Sequence, residues 1–219
     1  MVTEYGYSVI AVVLGIALLL CAVSWIFLDA NWLKFVITGI MALLIVFTLS
    51  FFRDPDRTTP QGDDLVISPA DGEVVLVKPV REDEYLKQEG TQISIFMSPF
   101  NVHVNRWPVS GTVEYFRHIP GEYLVAYEEK SSVRNERTHI GVRGAKTRVL
   151  FKQIAGFVAR RIVADIKEGD PAVAGKRFGM IRFGSRVDVI IPPGVQVRVA
   201  PGDRTVAGET VLAVIQHLD

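Results

Sequence analysis

Cysteine is almost absent from this sequence, Cys21 being the single one. That excludes an internal disulfide framework and any cysteine-based zinc site. There are four histidines, and no HxxH or histidine–carboxylate spacing calls for a metal. Neither sign of charge is in excess, because 24 basic residues stand against 24 acidic ones. Composition therefore gives no argument for a nucleic-acid partner. A basic leader is missing as well. Met1 to Tyr7 carries only Glu4, whereas a cleaved signal peptide opens on positive charge.

What the chain has in quantity is apolar residues, 49% of the total, and they are unevenly spread. Ser8 to Leu28 contains no charge and is long enough for a helix to cross a hydrocarbon core of about 30 Å. A second uncharged run, Phe35 to Phe52, is flanked by Trp32, Lys34 and Arg53, residue types that anchor helix ends at an interface. Only Asp29 to Lys34 separates the two runs, so residues 1–52 are expected to form a transmembrane helical hairpin. A pair of core helices in a soluble protein is the ordinary alternative. Arg53 and Arg57 follow the second run, against Lys34 at the tip. That excess favours a cytoplasmic catalytic domain at the inner membrane of the cell.

Arg53 to Asp64 is charged, contains proline and lacks apolar periodicity, so residues 53–64 read as a linker. Residues 65–219 are dominated by short β-branched runs between Gly, Pro and Asp, as in Gly72–Val77, Gln92–Met97 and Val187–Ile191. Such composition predicts a β-rich domain. Thr147 to Ile166 also favours strands, and a short helix is expected near Glu82 to Gln88. One repeat stands out: Gly169-Asp170-x-x-Val173-Ala174-Gly175 recurs as Gly202-Asp203-x-x-Val206-Ala207-Gly208. Each copy reads as a turn whose Gly and Asp supply unusual backbone angles. Ser68-Pro-Ala-Asp-Gly-Glu-Val and Trp107-Pro-Val-Ser-Gly-Thr-Val form a second similar pair. These turns resemble those of lipoyl/biotinyl-type domains, and the expected fold class is mainly β, a β-sandwich or barrel-sandwich-like domain behind the hairpin.

Three segments can carry chemistry. In Arg182-Phe-Gly184-Ser185-Arg186, Gly184 has no side chain to obstruct attack on its carbonyl, and Ser185 carries a hydroxyl able to attack it. An acyl shift from nitrogen to oxygen, elimination and hydrolysis would convert Ser185 to a pyruvoyl group. The ordinary reading of Gly-Ser between strands is a turn. Asp71 precedes Gly72, and Asp-Gly is a common hairpin turn, although an aspartate there can also orient a catalytic partner. His103 lies between two valines in Met97-Ser-Pro-Phe-Asn-Val-His103-Val-Asn-Arg106. A lone histidine is more often structural, yet its titration range suits proton removal and delivery. His118, His139 and His217 have no comparable neighbourhood and default to structural or surface roles.

Pro69-Ala-Asp-Gly72, Met97-Ser-Pro-Phe-Asn-Val-His-Val-Asn-Arg106 and Phe183-Gly-Ser-Arg186 occur in this order in the phosphatidylserine decarboxylase family. The chain resembles its short bacterial and archaeal branch over residues 50–219. The resemblance implies a proenzyme that cleaves itself by serinolysis between Gly184 and Ser185. A β chain, 1–184, and an α chain, 185–219, would result, the latter starting with a covalent pyruvoyl cofactor made from Ser185. It further implies that Asp71, His103 and Ser185 act together in cleavage, and that the pyruvoyl forms a Schiff base with a phospholipid substrate in the membrane. One departure from the longer enzymes is Arg106, where they carry a second histidine. It leaves open which base drives cleavage. Lys78, Arg81 and Arg134 are candidates for the substrate phosphate. Self-association into a homo-oligomer stays open, as does another serine phospholipid such as archaetidylserine as substrate. A rival of another class is a membrane-tethered lipoyl-like carrier or adaptor. That would need a modifiable lysine, where the two repeats offer Pro171-Ala172 and Arg204-Thr205.

Overall fold

A computed structural model of the chain describes residues 1–122, 134–156, 162–182 and 185–215. The fold separates into two compact units, Met1–Asp56 and Arg57–Asp219.

The first unit is two antiparallel helices, α1 (Tyr7–Phe27) and α2 (Asn31–Phe51), both long and apolar enough to cross a membrane. Leu18, Phe27 and Leu43 are each at least 70% exposed, a surface that suits lipid and not water. The few hydroxyls are returned to their own helices: Ser24 donates to the Cys21 carbonyl and Thr48 to that of Leu44, both at 2.8 Å. In hydrocarbon such internal satisfaction is obligatory. Trp25 meets Phe35 edge-on at 5.7 Å and donates from Nε1 to Thr38, joining the helices near the tip. Helix α2 starts at Asn31, earlier than the end of the apolar run implies, so only Leu28 to Ala30 connects the pair.

The second unit is all strand. In chain order these are β1 (Leu65–Ile67), β2 (Gly72–Glu82), β3 (Gln88–Met97), β4 (Val104–Arg106) and β5 (Gly111–Ile119). Next come β6 (Arg137–Gly144), β7 (Arg148–Ile154), β8 (Ile162–Ala164), β9 (Pro171–Ala172) and β10 (Arg177–Ile181). The last are β11 (Ser185–Ile191), β12 (Val195–Val197), β13 (Arg204–Thr205) and β14 (Val211–Ile215). Eight of them form one antiparallel sheet in the order β13-β2-β3-β11-β7-β6-β5-β9. Two three-stranded sheets, β1-β14-β12 and β4-β10-β8, complete the sandwich. Between the layers lies a core that includes Ile93, Ile95, Trp107, Phe151, Phe178, Val187 and Val189. Trp107 packs on Phe178 at 4.7 Å between ring centres.

The expected duplication is structural. Gly169 and Gly202 adopt φ of 93° and 97°, and Gly175 and Gly208 adopt 77° and 78°. All four angles disfavour a side chain. Asp170 accepts from the Lys167 N–H at 2.9 Å, as Asp203 does from Ala200 at 2.8 Å. The two repeats end in β9 and β13, the opposite edges of the large sheet.

The helix expected near Glu82 to Gln88 is instead the turn of the β2–β3 hairpin. The Glu82 carboxylate accepts the N–H groups of Glu84, Tyr85 and Leu86 at 2.6–2.9 Å, while Glu82 pairs with Gln88 across the hairpin. This folds Leu86 onto Leu150 and Ile190, on the face of the sheet away from the main core.

His139, also on that face, is 3% exposed and shares a proton with Glu84 at 2.9 Å. Burial and the nearby Lys152 charge push its pKa down to about 4, with Glu84 acting in the opposite sense. The folded protein therefore holds His139 neutral, while the unfolded chain, at about 6.5, binds a proton first as pH falls. Stability should decline by about 2–3 kcal/mol as pH drops from 6.5 towards 4. Melting of the full chain in detergent micelles measures this, and His139→Gln should flatten that part of the profile.

Candidate active site

Asn105 draws the three sequence motifs together. It is fully buried in β4, two residues after His103. Its side-chain amide donates to the Pro69 carbonyl at 3.3 Å and to the Met97 sulfur at 3.8 Å, while its oxygen accepts from Gln153 at 2.8 Å. Pro69 opens the segment that ends in Asp71 and Gly72. Met97 is the cross-strand partner of Ser185.

Ser185 is the first residue of β11 and has no solvent exposure. Its hydroxyl lies 3.3 Å from the Met97 sulfur, a weak acceptor that leaves the oxygen lone pairs uncommitted to that contact. Gly184 and Phe183 lie outside the described residues, so the expected cleavage bond is placed only through its serine side.

His103 is also fully buried. Its Nδ1 is 3.0 Å from the Asn101 carbonyl, which can only accept, so Nδ1 carries the hydrogen and Nε2 is the ring's acceptor nitrogen. The His103 carbonyl accepts from the Ile181 N–H at 3.4 Å, and the chain reaches Ser185 four residues later along the same segment. The lone histidine is thus held at the head of β11, and its tautomer is that of a general base.

Asp71 has a mixed position. Its carboxylate accepts the Ala207 N–H at 2.8 Å. The duplicated half makes the same bond with Ser110, which accepts from the Ala174 N–H at 3.0 Å. That contact is therefore architectural. What the other half lacks is Arg57, whose guanidinium meets both Asp71 oxygens at 2.9 and 3.1 Å and approaches Glu209 at 3.8 Å. Arg57 belongs to the stretch read as a linker, and no spacing signal marks it. Residues 54–62 have neither helix nor strand, yet this arginine is anchored, with only 13% of its side chain exposed.

Arg106 donates from Nη1 to the Gly175 carbonyl at 3.0 Å. A Cβ on Gly208 would lie 2.8 Å from the Arg106 side chain, so this residue packs against both repeat turns. Among the phosphate candidates, Arg81 is engaged by Asp83 and Glu89, and Arg134 by Glu122. Pro171-Ala172 and Arg204-Thr205 lie in edge strands, with no lysine at either place.

A family model described as phosphatidylserine decarboxylase matches residues 44–213. A relative described as a phosphatidylserine decarboxylase proenzyme, from Chlorobium phaeobacteroides, is 45% identical over 97% of this chain and 99% of its own length. A protein of the same description from Chlorobium limicola is 46% identical over the same shares. A third, from Amoebophilus asiaticus, is 50% identical over 79% of this chain and 77% of its own.

Removing Arg57 would leave the mostly buried Asp71 carboxylate with less compensation, a change that costs about 1–3 kcal/mol. Arg57→Ala should therefore lower stability by that amount. Arg57→Ala with Asp71→Asn should cost less than the sum of the two single changes, as measured by a double-mutant cycle in detergent.

Proposed function

The chain belongs to the phosphatidylserine decarboxylase family, and from that premise we propose that it cuts itself at Gly184–Ser185 and then decarboxylates phosphatidylserine to phosphatidylethanolamine and carbon dioxide. The observation that carries this reading is the burial of Ser185 at the head of a central strand, joined through Met97 and Asn105 to the segments bearing Asp71 and His103. A serine at an ordinary surface turn would need none of this.

In the first stage the Ser185 oxygen attacks the Gly184 carbonyl, and the peptide nitrogen leaves as the bond becomes an ester. The His103 Nε2 is the acceptor for the hydroxyl proton, its ring oriented by the Asn101 carbonyl. Asp71 acts in this reading as the charged member of the set, held by Arg57. Elimination across residue 185 releases Gly184 as a carboxylate, and hydrolysis of the remaining enamine frees ammonia and leaves a pyruvoyl group. The surroundings of Ser185 suit that product, being without solvent exposure.

When present, the pyruvoyl supplies the electron sink that loss of carbon dioxide requires. The chain's own residues do the rest. His103 can return a proton to the substrate carbon, and the buried position of residue 185 excludes bulk water from the reacting centre. Cleavage need not separate the fragments. Strand β11 is paired with β3 and β7 on its two edges, and β14 with β1, so 185–219 is interwoven with 1–184.

Two helices of spanning length support residence at a membrane. There the substrate's acyl chains can stay in the bilayer, avoiding an extraction cost of ~0.8 kcal/mol per CH₂. The excess of Arg53 and Arg57 over Lys34 supports a cytoplasmic catalytic unit at the inner membrane.

Mass spectrometry of the purified protein should find fragments 1–184 and 185–219, the smaller blocked at its amino terminus. Ser185→Ala should remain a single chain and lose phosphatidylserine decarboxylation by more than about a thousandfold. Borohydride with phosphatidylserine should add mass to the 185–219 fragment alone; label on the larger one would move the reacting group elsewhere.

A further inference from the structure

The two halves of the duplicated sheet differ in charge at one equivalent pair of residues. On one edge Arg204 and Thr205 pair with Glu73 and Gly72; on the other Pro171 and Ala172 pair with Thr112 and Gly111. The surrounding backbone bonds match. Val74 donates to the Asp203 carbonyl at 2.8 Å and Val113 to that of Asp170 at 3.0 Å, while Gly202 and Gly169 donate back to Val74 and Val113 at 2.8 Å. The edge thus forms equally well with a neutral threonine and proline, and neither Glu73 nor Arg204 is required to build it.

The charged pair lines a pocket of about 300 Å³ with Gly72, Phe96, Ser98 and Asn101. Its size is at the low end for small-molecule sites. Phe96 and Ser98 flank Met97, the partner of Ser185, and the Asn101 carbonyl orients His103. Ser98 and Asn101 close a turn on each other through hydrogen bonds of 2.8 and 2.9 Å. Phe100, 75% exposed on that turn, is an aromatic tip of the kind that settles at bilayer interfaces. Both Arg204 and Glu73 are exposed, and among the described residues neither side chain is in an ion pair.

We propose that this pocket is the subsite for the phosphoserine head group, with Arg204 on the phosphodiester and Glu73 receiving the incoming ammonium; this rests on the function proposed above. A cation and an anion left unpaired across a small pocket match a ligand bearing both signs. The planar fork of arginine suits phosphate. Binding at the substrate carboxylate would instead stabilise the group that must leave as carbon dioxide, against the demand that stabilisation grow towards the transition state.

The test uses the full, self-cleaved chain in detergent micelles doped with phosphatidylserine. Arg204→Gln should raise KM about 10–100-fold while kcat changes less than about threefold. Arg204→Lys should fall between, and Glu73→Gln should raise KM several-fold. Glycerophosphoserine should inhibit the unaltered enzyme competitively and Arg204→Gln hardly at all. Serine methyl ester, which has the amine but no phosphate, should be trapped by borohydride equally on both. Cleavage into two fragments reports that each variant has folded; if Arg204→Gln stays uncleaved, Arg204→Lys decides. An unchanged KM with unchanged glycerophosphoserine inhibition overturns the subsite. An unaltered chain that neither cleaves nor decarboxylates overturns the underlying function instead.

Discussion

Strand β11 is hydrogen-bonded along both edges, to β3 and to β7, and that double pairing fixes the surroundings of Ser185. All seven of its residues are buried. Because side chains alternate, Val187, Val189 and Ile191 enter the main core while Arg186, Asp188 and Ile190 turn to the other face. Arg186 is satisfied there by Asp188 and Ser94, each at 2.6 Å, with Gln92 reaching Asp188 at 3.2 Å. A slip of one residue would drive this ion pair into the core and leave buried charges uncompensated. The register is therefore strongly specified, and with it the placement of Ser185 against Met97.

Duplication supplies the frame and divergence supplies the site. Ser110 and Asp71 hold equivalent turns through the same backbone bond, so the fold asks only for an acceptor at that place. In one half the acceptor is a carboxylate with an arginine upon it, and the neighbouring edge carries Glu73 and Arg204. Both departures lie on the half that bears the Pro69–Gly72 motif. A symmetric scaffold thus acquires chemistry on one side at little structural cost, because the exchanged side chains are not the ones that form the sheet.

The two units answer to different solvents. In the helices every described hydroxyl bond runs to a backbone carbonyl or to the partner helix, as hydrocarbon demands. In the strand unit, buried polar groups are joined in extended sets: Thr138 to Gln153 to Asn105 to Pro69 is one such chain. Partial networks of this kind are costly, which favours keeping all members together.

The sequence by itself determined the elements whose cause is local. Uncharged runs of spanning length announce the helices, β-branched runs between Gly and Pro announce strands, and Gly-Asp turns announce the duplication through the angles glycine permits. It also marked Ser185, His103 and Asp71 as a set, because their motifs occur in a recognisable order. Only the tertiary structure decided that Asn105 bridges those motifs, that Arg57 reaches Asp71, and that Arg204 faces Glu73. Those contacts join residues far apart in the chain, and no periodicity or composition encodes which strands will be neighbours. The hairpin turn after Glu82 was misread as helix for the same reason: its shape follows from strand pairing on either side, which a local pattern cannot contain.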